Sequence, residues 1–157
     1  MKLVENLPLD TSIIADLIND YADLHLVWPK ARWPFDHLQW QKVLNPARGN
    51  KSFLVYEGSV PIGHAALCKT KEPGVYSLNY LYLIPQMRSR GLGEKMVNLL
   101  EQYAREELSA KKLVLVTRTY NPGARKCYSK CGFREYSREA TLIRMSKVLE
   151  DEFVLEK

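Results

Sequence analysis

Cysteine is scarce in this sequence: three residues, Cys68, Cys127 and Cys131, in a chain of 157. An odd, small number in a chain long enough to build a core without staples excludes a disulfide scaffold. Cys127 and Cys131 stand four apart, on one face of any helix that runs through them, but no second pair of soft ligands follows at zinc-site spacing. They read as small buried hydrophobes, and no metal is expected. Glycine and proline are also sparse, 8 of each, while apolar residues occur in every region, so collagen-like, coiled-coil and disordered chains are excluded. No apolar run approaches the roughly 20 residues that span a bilayer, and no membrane partner is expected. The opening Met1-Lys2-Leu3-Val4-Glu5-Asn6-Leu7-Pro8 lacks the long apolar stretch of a secretory signal, which sets the expectation of a cytoplasmic protein. Repeats, low-complexity tracts and dividing linkers are missing too. Residues 1–157 therefore read as one domain, because two would each fall near the lower size limit for an independent core.

What is present is 46% hydrophobic and modestly basic, with 23 Lys and Arg against 18 Asp and Glu and a formal charge of +5. The excess favours an anionic partner, such as an acidic surface or a phosphorylated cofactor, but it is not gathered into a basic tail. Trp28, Trp33 and Trp40 are not interleaved with a basic stripe, so nucleic acid is not the expected partner.

Hydrophobic spacing lays out an α/β domain with a mixed sheet. Ile13, Ile14, Leu17, Ile18 and Tyr21 recur at helical spacing behind Asp10 and Thr11, predicting a first helix that ends near Leu24. A second is predicted from Asp36, with Gln39 placed for a capping box and Phe35 and Trp40 for a hydrophobic staple, and with its exit at Asn45-Pro46. The intervening loop holds Trp28 and Trp33, which either wall a substrate site or close the core beneath the loop. Ser52–Tyr56 and Pro61–Lys69 read as a hairpin, and Gly74–Ile84 as a longer strand ending at Pro85. The clearest helix follows, with Leu92, Met96, Leu99, Leu100 and Tyr103 along one stripe. Lys112–Thr119 reads as a strand buried on both faces, so strand, helix and strand make a crossover with a parallel pair. A short helix over Gly123–Lys130 and two antiparallel strands, Phe133–Ser137 and Thr141–Val148, close the chain.

The strongest local signal is Pro85-Gln86-Met87-Arg88-Ser89-Arg90-Gly91-Leu92-Gly93, between the long strand and the amphipathic helix. Two glycines at such a junction let bare backbone N–H groups approach an anion, and the helix N-terminus adds its partial positive charge. That is a cradle for a pyrophosphate. A dinucleotide fingerprint would need a small residue where Met96 stands and an acidic residue ending the next strand, where Arg118 and Thr119 stand. A nucleotide-hydrolysing loop would need Gly-Lys-Ser/Thr, and Gly93 is followed by Glu94 and Lys95.

The stretch resembles the GNAT superfamily of acyl-CoA-dependent N-acyltransferases, whose signature Arg/Gln-x-x-Gly-x-Gly/Ala is matched by Arg88, Gly91 and Gly93. A second segment carries the likeness further: Asn121, Ala124, Tyr128, Gly132 and Phe133 match Asn-x-x-Ala-x-x-x-Tyr-x-x-x-Gly-Phe. The resemblance covers the chain from about Phe53 onward, with the first fifty residues fitting only as two variable helices that line an acceptor site. It implies a single-domain, mostly antiparallel sheet whose central parallel pair is splayed to hold coenzyme A, flanked by about four helices. It implies acetyl-CoA as acyl donor and an amine acceptor, a small molecule before a protein lysine or N-terminus, in a monomer or homodimer. By resemblance Leu81, Tyr82 and Leu83 offer backbone groups to the pantetheine arm and acyl carbonyl, while Arg88, Ser89, Arg90, Gly91, Leu92, Gly93 and Glu94 wrap the pyrophosphate. Asn121 would hold the cofactor near its amides, and it also suits a helix cap. Tyr128 would be the general acid, since a phenol with a pKa near ~10 stays protonated at neutral pH and can donate to a departing thiolate of pKa ~8.5.

One departure from the family stands out. Where many members carry a glutamate base on the fourth or fifth strand, this chain has Ser77 and Val116. His64, or water held by Ser77, Asn79 or Tyr80, is left as the source of a base, with His64 equally readable as a core histidine. Ser77 and Asn79, with Trp28 and Trp33, are the candidate acceptor-binding residues. The missing carboxylate also leaves open a non-catalytic acyl-CoA sensor.

Overall fold

In a computed structural model, residues 1–149 are described. They form β1 (Lys2–Glu5), α1 (Thr11–Leu17), α2 (Tyr21–Val27), α3 (His37–Val43), β2 (Lys51–Glu57), β3 (Val60–Lys69), β4 (Val75–Leu83), α4 (Leu92–Leu108), β5 (Lys112–Arg118), α5 (Pro122–Lys130), β6 (Arg134–Glu139) and β7 (Leu142–Val148). The sheet runs β1-β2-β3-β4-β5-β7-β6, antiparallel except for the parallel β4–β5 pair. This is the mixed α/β architecture expected, and the crossover through α4 supplies its parallel pair.

Strand alternation divides the interior into two cores. Phe53, Val55, Leu67, Leu78, Leu113 and Leu115 face Met96, Val97, Leu100 and Ala104 of α4. Leu54, Ala66 and Tyr82 face the other way, onto Ile14, Ile18, Leu24, Trp40 and Leu44 in and beside α1–α3. Each fully buried Leu or Ile contributes on the order of 1.5–3 kcal/mol, so both layers of helix are fastened by their apolar faces.

Three local expectations are corrected, and one strand is added to them. The first helix is two helices, because Asp20 turns extended and its carboxylate accepts the N–H of Asp23 at 3.0 Å, capping α2 anew. Residues Lys2–Glu5 pair with Phe53–Tyr56 as an edge strand too short to show alternation. β5 is buried on one face only: Leu113, Leu115 and Thr117 are enclosed, whereas Val116 is 51% exposed, because α1–α3 pack against β2–β4 and leave the far side of β5–β7–β6 uncovered. The capping box is half built: Asp36 accepts the N–H of Gln39 at 3.2 Å, but the Gln39 side chain reaches into the Lys30–Arg32 loop instead. The staple is present, with Phe35 stacked on Trp40 at 5.3 Å.

The feature that makes the site is a failure of pairing. β4 and β5 are in register from Val75 opposite Lys112 to Leu78 opposite Leu115, and then part although both strands continue. On the other edge of β4 the register with β3 moves from Ala66 opposite Asn79 to His64 opposite Tyr82, so Ala65 faces both Tyr80 and Leu81. Tyr80 takes φ of 55° at this bulge. An extra residue increases local twist and bends the strand, which turns the end of β4 away from β5. Gly63 permits the close pairing that follows, since a Cβ there would stand 2.2 Å from the Tyr82 carbonyl oxygen.

Candidate active site

The gap between β4 and β5 opens into two cavities of about 440 and 390 Å³. They share Leu26, Val27, Leu81, Asn121 and Ala124 and so form one groove under α2. One end reaches the start of α4, and the other reaches Tyr128 and the Trp28–Lys30 loop.

At the α4 end, Ser89 and Gly91 adopt φ of 61° and 74°, and Gly91 serves as N-cap without a side-chain acceptor. The N–H groups of Leu92, Gly93 and Glu94 have no partner within the helix, because the first helical bond runs from Lys95 N–H to the Gly91 carbonyl at 3.3 Å. No atom lies within 4 Å of where a Gly91 Cβ would be, so the approach to these donors is open. At Gly93 a Cβ would meet Cys127 Sγ at 3.4 Å, an ordinary contact where α4 and α5 converge.

Arg88 lines this end but is committed to the protein. Its Nε donates to the Leu83 carbonyl at 2.9 Å, its Nη2 pairs with Asp23 at 2.9 Å, and its guanidinium lies 5.2 Å from the Tyr82 ring centroid. Tyr82 donates its hydroxyl to the same Asp23 carboxylate at 3.0 Å. Burial and Asp23 together push the Tyr82 phenol up to about 12, keeping it a donor. Asp23 thus ties α2 to the end of β4 and to the glycine loop. Nothing in the sequence pairs it with a residue 65 positions away.

Leu81, Tyr82, Leu83, Ser89, Glu94 and Asn121 all line the groove. The Ile84 N–H bonds to Ile62 of β3, so by strand alternation the N–H groups of Leu83 and Leu81 turn toward the gap. The Asn121 side chain accepts from Ala124 N–H at 3.4 Å and caps α5 while it faces both cavities. Tyr128, about two helical turns beyond Asn121, presents its ring to the groove with its edge near Phe133, 6.2 Å between centroids. Among the described residues no side chain or backbone group holds its hydroxyl, and burial raises its pKa, so the phenol stays protonated.

His64 is a core histidine. It is fully buried, its Nδ1 donates to the Tyr80 carbonyl at 2.9 Å and its Nε2 accepts from Ser52 Oγ at 2.8 Å. Burial pushes its pKa down to about 4. Both ring nitrogens are engaged away from the groove, which removes it as a base. Of the other candidates, Asn79, Tyr80 and Trp28 line the Tyr128 end. Ser77 instead bonds to the Cys68 carbonyl and to Asn79 on β4. Trp28 also meets Trp40 and Tyr80 edge-on at 5.2 Å, so it closes the core and faces the groove at once. Trp33 is 45% exposed and packs edge-on to Tyr21, outside the groove.

The cysteines are poor nucleophiles: burial pushes Cys127, which lines the groove, up to about 11 and Cys68 up to about 12. Among the described residues no cluster of His, Cys, Asp or Glu could hold a metal ion, and no helix is long and apolar enough to cross a membrane.

Residues 14–133 match the family model described as acetyltransferase (GNAT) family. The chain is 27% identical over 135 residues to the uncharacterized N-acetyltransferase YhfO of Bacillus subtilis (strain 168), covering 80% of this chain and 85% of that one. It superposes with a TM-score of 0.76 on the spermidine N-acetyltransferase of Vibrio cholerae in complex with CoA and spermine, at 19% identity and 94% coverage of both chains. A TM-score of 0.70 relates it to the N-acetyltransferase PseH of Campylobacter jejuni in complex with acetyl coenzyme A, at 23% identity over 95% of this chain and 99% of that one. With the family model spanning most of the chain and both of its motifs meeting in one groove, the protein belongs to the acetyltransferase (GNAT) family and is an acetyl-CoA-dependent N-acetyltransferase.

Proposed function

We propose that the protein transfers the acetyl group of acetyl-CoA to the primary amine of a small molecule by direct attack within a ternary complex. The observation that carries this reading is the parting of β4 and β5 after Leu78 and Leu115, which joins an uncapped helix N-terminus at one end of a groove to Tyr128 at the other. The pyrophosphate would sit on the N–H groups around Gly91–Glu94, where backbone donors and the helix dipole both favour an anion. Arg88 supports that loop through Leu83 and Asp23, and its charge stays nearby. The pantetheine amides would pair with the freed edge of β4 at Leu81–Leu83 as an added strand does, with Asn121 facing them from α5.

At the far end the amine nitrogen attacks the thioester carbonyl carbon, and N–H groups on the freed edge of β4 stabilise the oxyanion. The C–S bond then breaks, the thiolate takes the Tyr128 hydroxyl proton, and the proton that the attacking nitrogen sheds as the amide forms passes to water, from which Tyr128 is reprotonated. The amine must shed its own proton first, and among the described residues no Asp or Glu lines this end of the groove. Water beside Asn79 and Tyr80 is the remaining acceptor for it. An acyl-enzyme on cysteine is disfavoured by the raised thiol pKa values. Spermine occupies the Vibrio cholerae relative, but the lining at the Tyr128 end here does not favour a polycation. Acetyl-CoA consumption over an amine panel tests the reading. Binding of coenzyme A with no turnover of any small amine or peptide would leave a sensor, and turnover of peptides alone would make the acceptor a protein.

A further inference from the structure

We infer that the acceptor amine carries a carboxylate, which Arg118 and Lys30 bind at the mouth of the groove; the inference rests on the acetyltransferase reading above. Among the described residues the only charged ones lining the Tyr128 end are these two cations, on opposite banks. Arg118 closes β5 on the face that α1–α3 leave open, half-buried, and among the described residues its guanidinium pairs with no carboxylate. The acidic residue on the same row of the sheet, Glu139 of β6, is two strands away and lies 3.8 Å from Arg144. Lys30 follows the C-terminal end of α2, and it too has no acidic partner among the described residues. Its backbone is fixed rather than loose, because Gln39 of α3 donates to the Lys30 carbonyl at 2.8 Å and accepts from Arg32 N–H at 2.9 Å.

A half-buried guanidinium in a cavity with no protein partner recognises planar anions through paired N–H donors. Trp28, Tyr80 and Tyr120 line the same cavity of about 390 Å³, which has room for an apolar or aromatic side chain. A polyamine would bring further positive charge against Arg118 and Lys30 with no carboxylate to receive it. The same field answers the problem of the missing base. Two nearby cations lower the pKa of a bound ammonium, so an amine anchored by its carboxylate loses its proton to water more readily than it would in bulk solvent.

The test compares matched acceptors at fixed acetyl-CoA: L-phenylalanine, L-phenylalaninamide and phenethylamine, with L-leucine, β-alanine and spermidine beside them. Carboxylate-bearing amines should lead in kcat/KM, with phenylalanine ahead of its amide and of phenethylamine by roughly 10- to 100-fold. Arg118→Gln should erase that preference chiefly through KM, Arg118→Lys should restore part of it, and Lys30→Gln should weaken it. Preference for spermidine or phenethylamine would overturn the inference, as would a preference that survives Arg118→Gln and Lys30→Gln together. If coenzyme A raises the melting temperature but no carboxylate-bearing amine is turned over, the acceptor class is wrong and the cofactor site stands. If coenzyme A gives no shift, the acetyltransferase reading itself fails.

Discussion

Replacing His64 with glutamine should change how stability depends on pH, by an amount that follows from the structure. The imidazole is fully buried, donates from Nδ1 to the Tyr80 carbonyl and accepts at Nε2 from Ser52. A proton added to it must be accommodated without water, and burial lowers the pKa from 6.5 to about 4. The unfolded chain therefore binds this proton below about pH 6.5 while the folded chain resists it until about pH 4. Across that window the unfolded state holds more protons, so stability falls as the pH is lowered and is level above the window. The gap between 6.5 and about 4, at ~1.4 kcal/mol per pH unit, amounts to ~3 kcal/mol. Urea unfolding at pH 7.5 and near pH 4.5 measures the loss in each protein. His64→Gln should start less stable but lose ~2–3 kcal/mol less than the parent on acidification. Asp10, Asp36 and Glu135 also have lowered pKa values, chiefly through hydrogen bonds, but they are common to both proteins and cancel from the comparison. Parallel pH profiles for the two proteins would refute the reasoning, as would an imidazole that titrates near 6.5 in the folded protein by NMR. A pH–rate profile with an acidic limb near 6.5 that vanishes in His64→Gln would return the residue to the role of base.

Tyr128→Phe keeps the ring's packing against Phe133, so coenzyme A binding and stability should hardly change while turnover falls by roughly 10²–10⁴-fold if proton donation limits the rate. Unchanged turnover with chemistry rate-limiting would remove the acid role. Gly91→Val places a β-branched residue at φ of 74° in open space; it should lose roughly 1–2 kcal/mol of stability from the left-handed backbone and abolish the rise in melting temperature with coenzyme A. A folded variant that still shows the rise would sink the cradle. Trp28→Ala should raise the acceptor KM and reduce stability, because Trp28 both faces the groove and packs on Trp40, whereas Trp33→Ala, at an exposed site, should leave acceptor KM nearly unchanged. Equal effects on acceptor KM would contradict that division.

Most of the fold could be read from local signals. The α4 stripe, the β2–β3 hairpin and the Asn121-Pro122 start of α5 each carry their structure in a window of ten or so residues, because periodicity, turn chemistry and caps act over that range. The glycine loop belongs to the same class. What could not be read depends on distant partners. Asp23 looks like an ordinary helix residue until Arg88 and Tyr82 are beside it, and Lys30 and Arg118 face one cavity only once α2 packs on β4 beside the gap. The exposed face of β5 was hidden for a similar reason. A run such as Lys112–Arg118 looks enclosed on both sides, yet burial depends on whether a helix covers each face, and none of the helices α1–α3 reaches it.

The buried histidine and the opened strand form one construction. A β4 that kept its register would continue to pair with β5 beyond Leu78, and its N–H groups would be spent on the neighbouring strand. The bulge prevents this by inserting one residue, Tyr80, whose left-handed backbone a bulky side chain occupies only at some energetic penalty. His64 offsets part of that penalty, since its Nδ1–H donates to the Tyr80 carbonyl inside the core, where an unpaired carbonyl would be costly. Ser52 fixes the tautomer that makes this possible by donating to Nε2, and Asn6 donates in turn to the Ser52 hydroxyl at 3.3 Å. The residue that chemistry alone would nominate as a base is therefore spent on geometry: neutral and dry, it holds the bend that frees Leu81–Leu83. Under the proposed mechanism Tyr128 then supplies the acid with no Asp or Glu among the described residues lining its end of the groove, and the acceptor's deprotonation falls to water and to the field of Arg118 and Lys30.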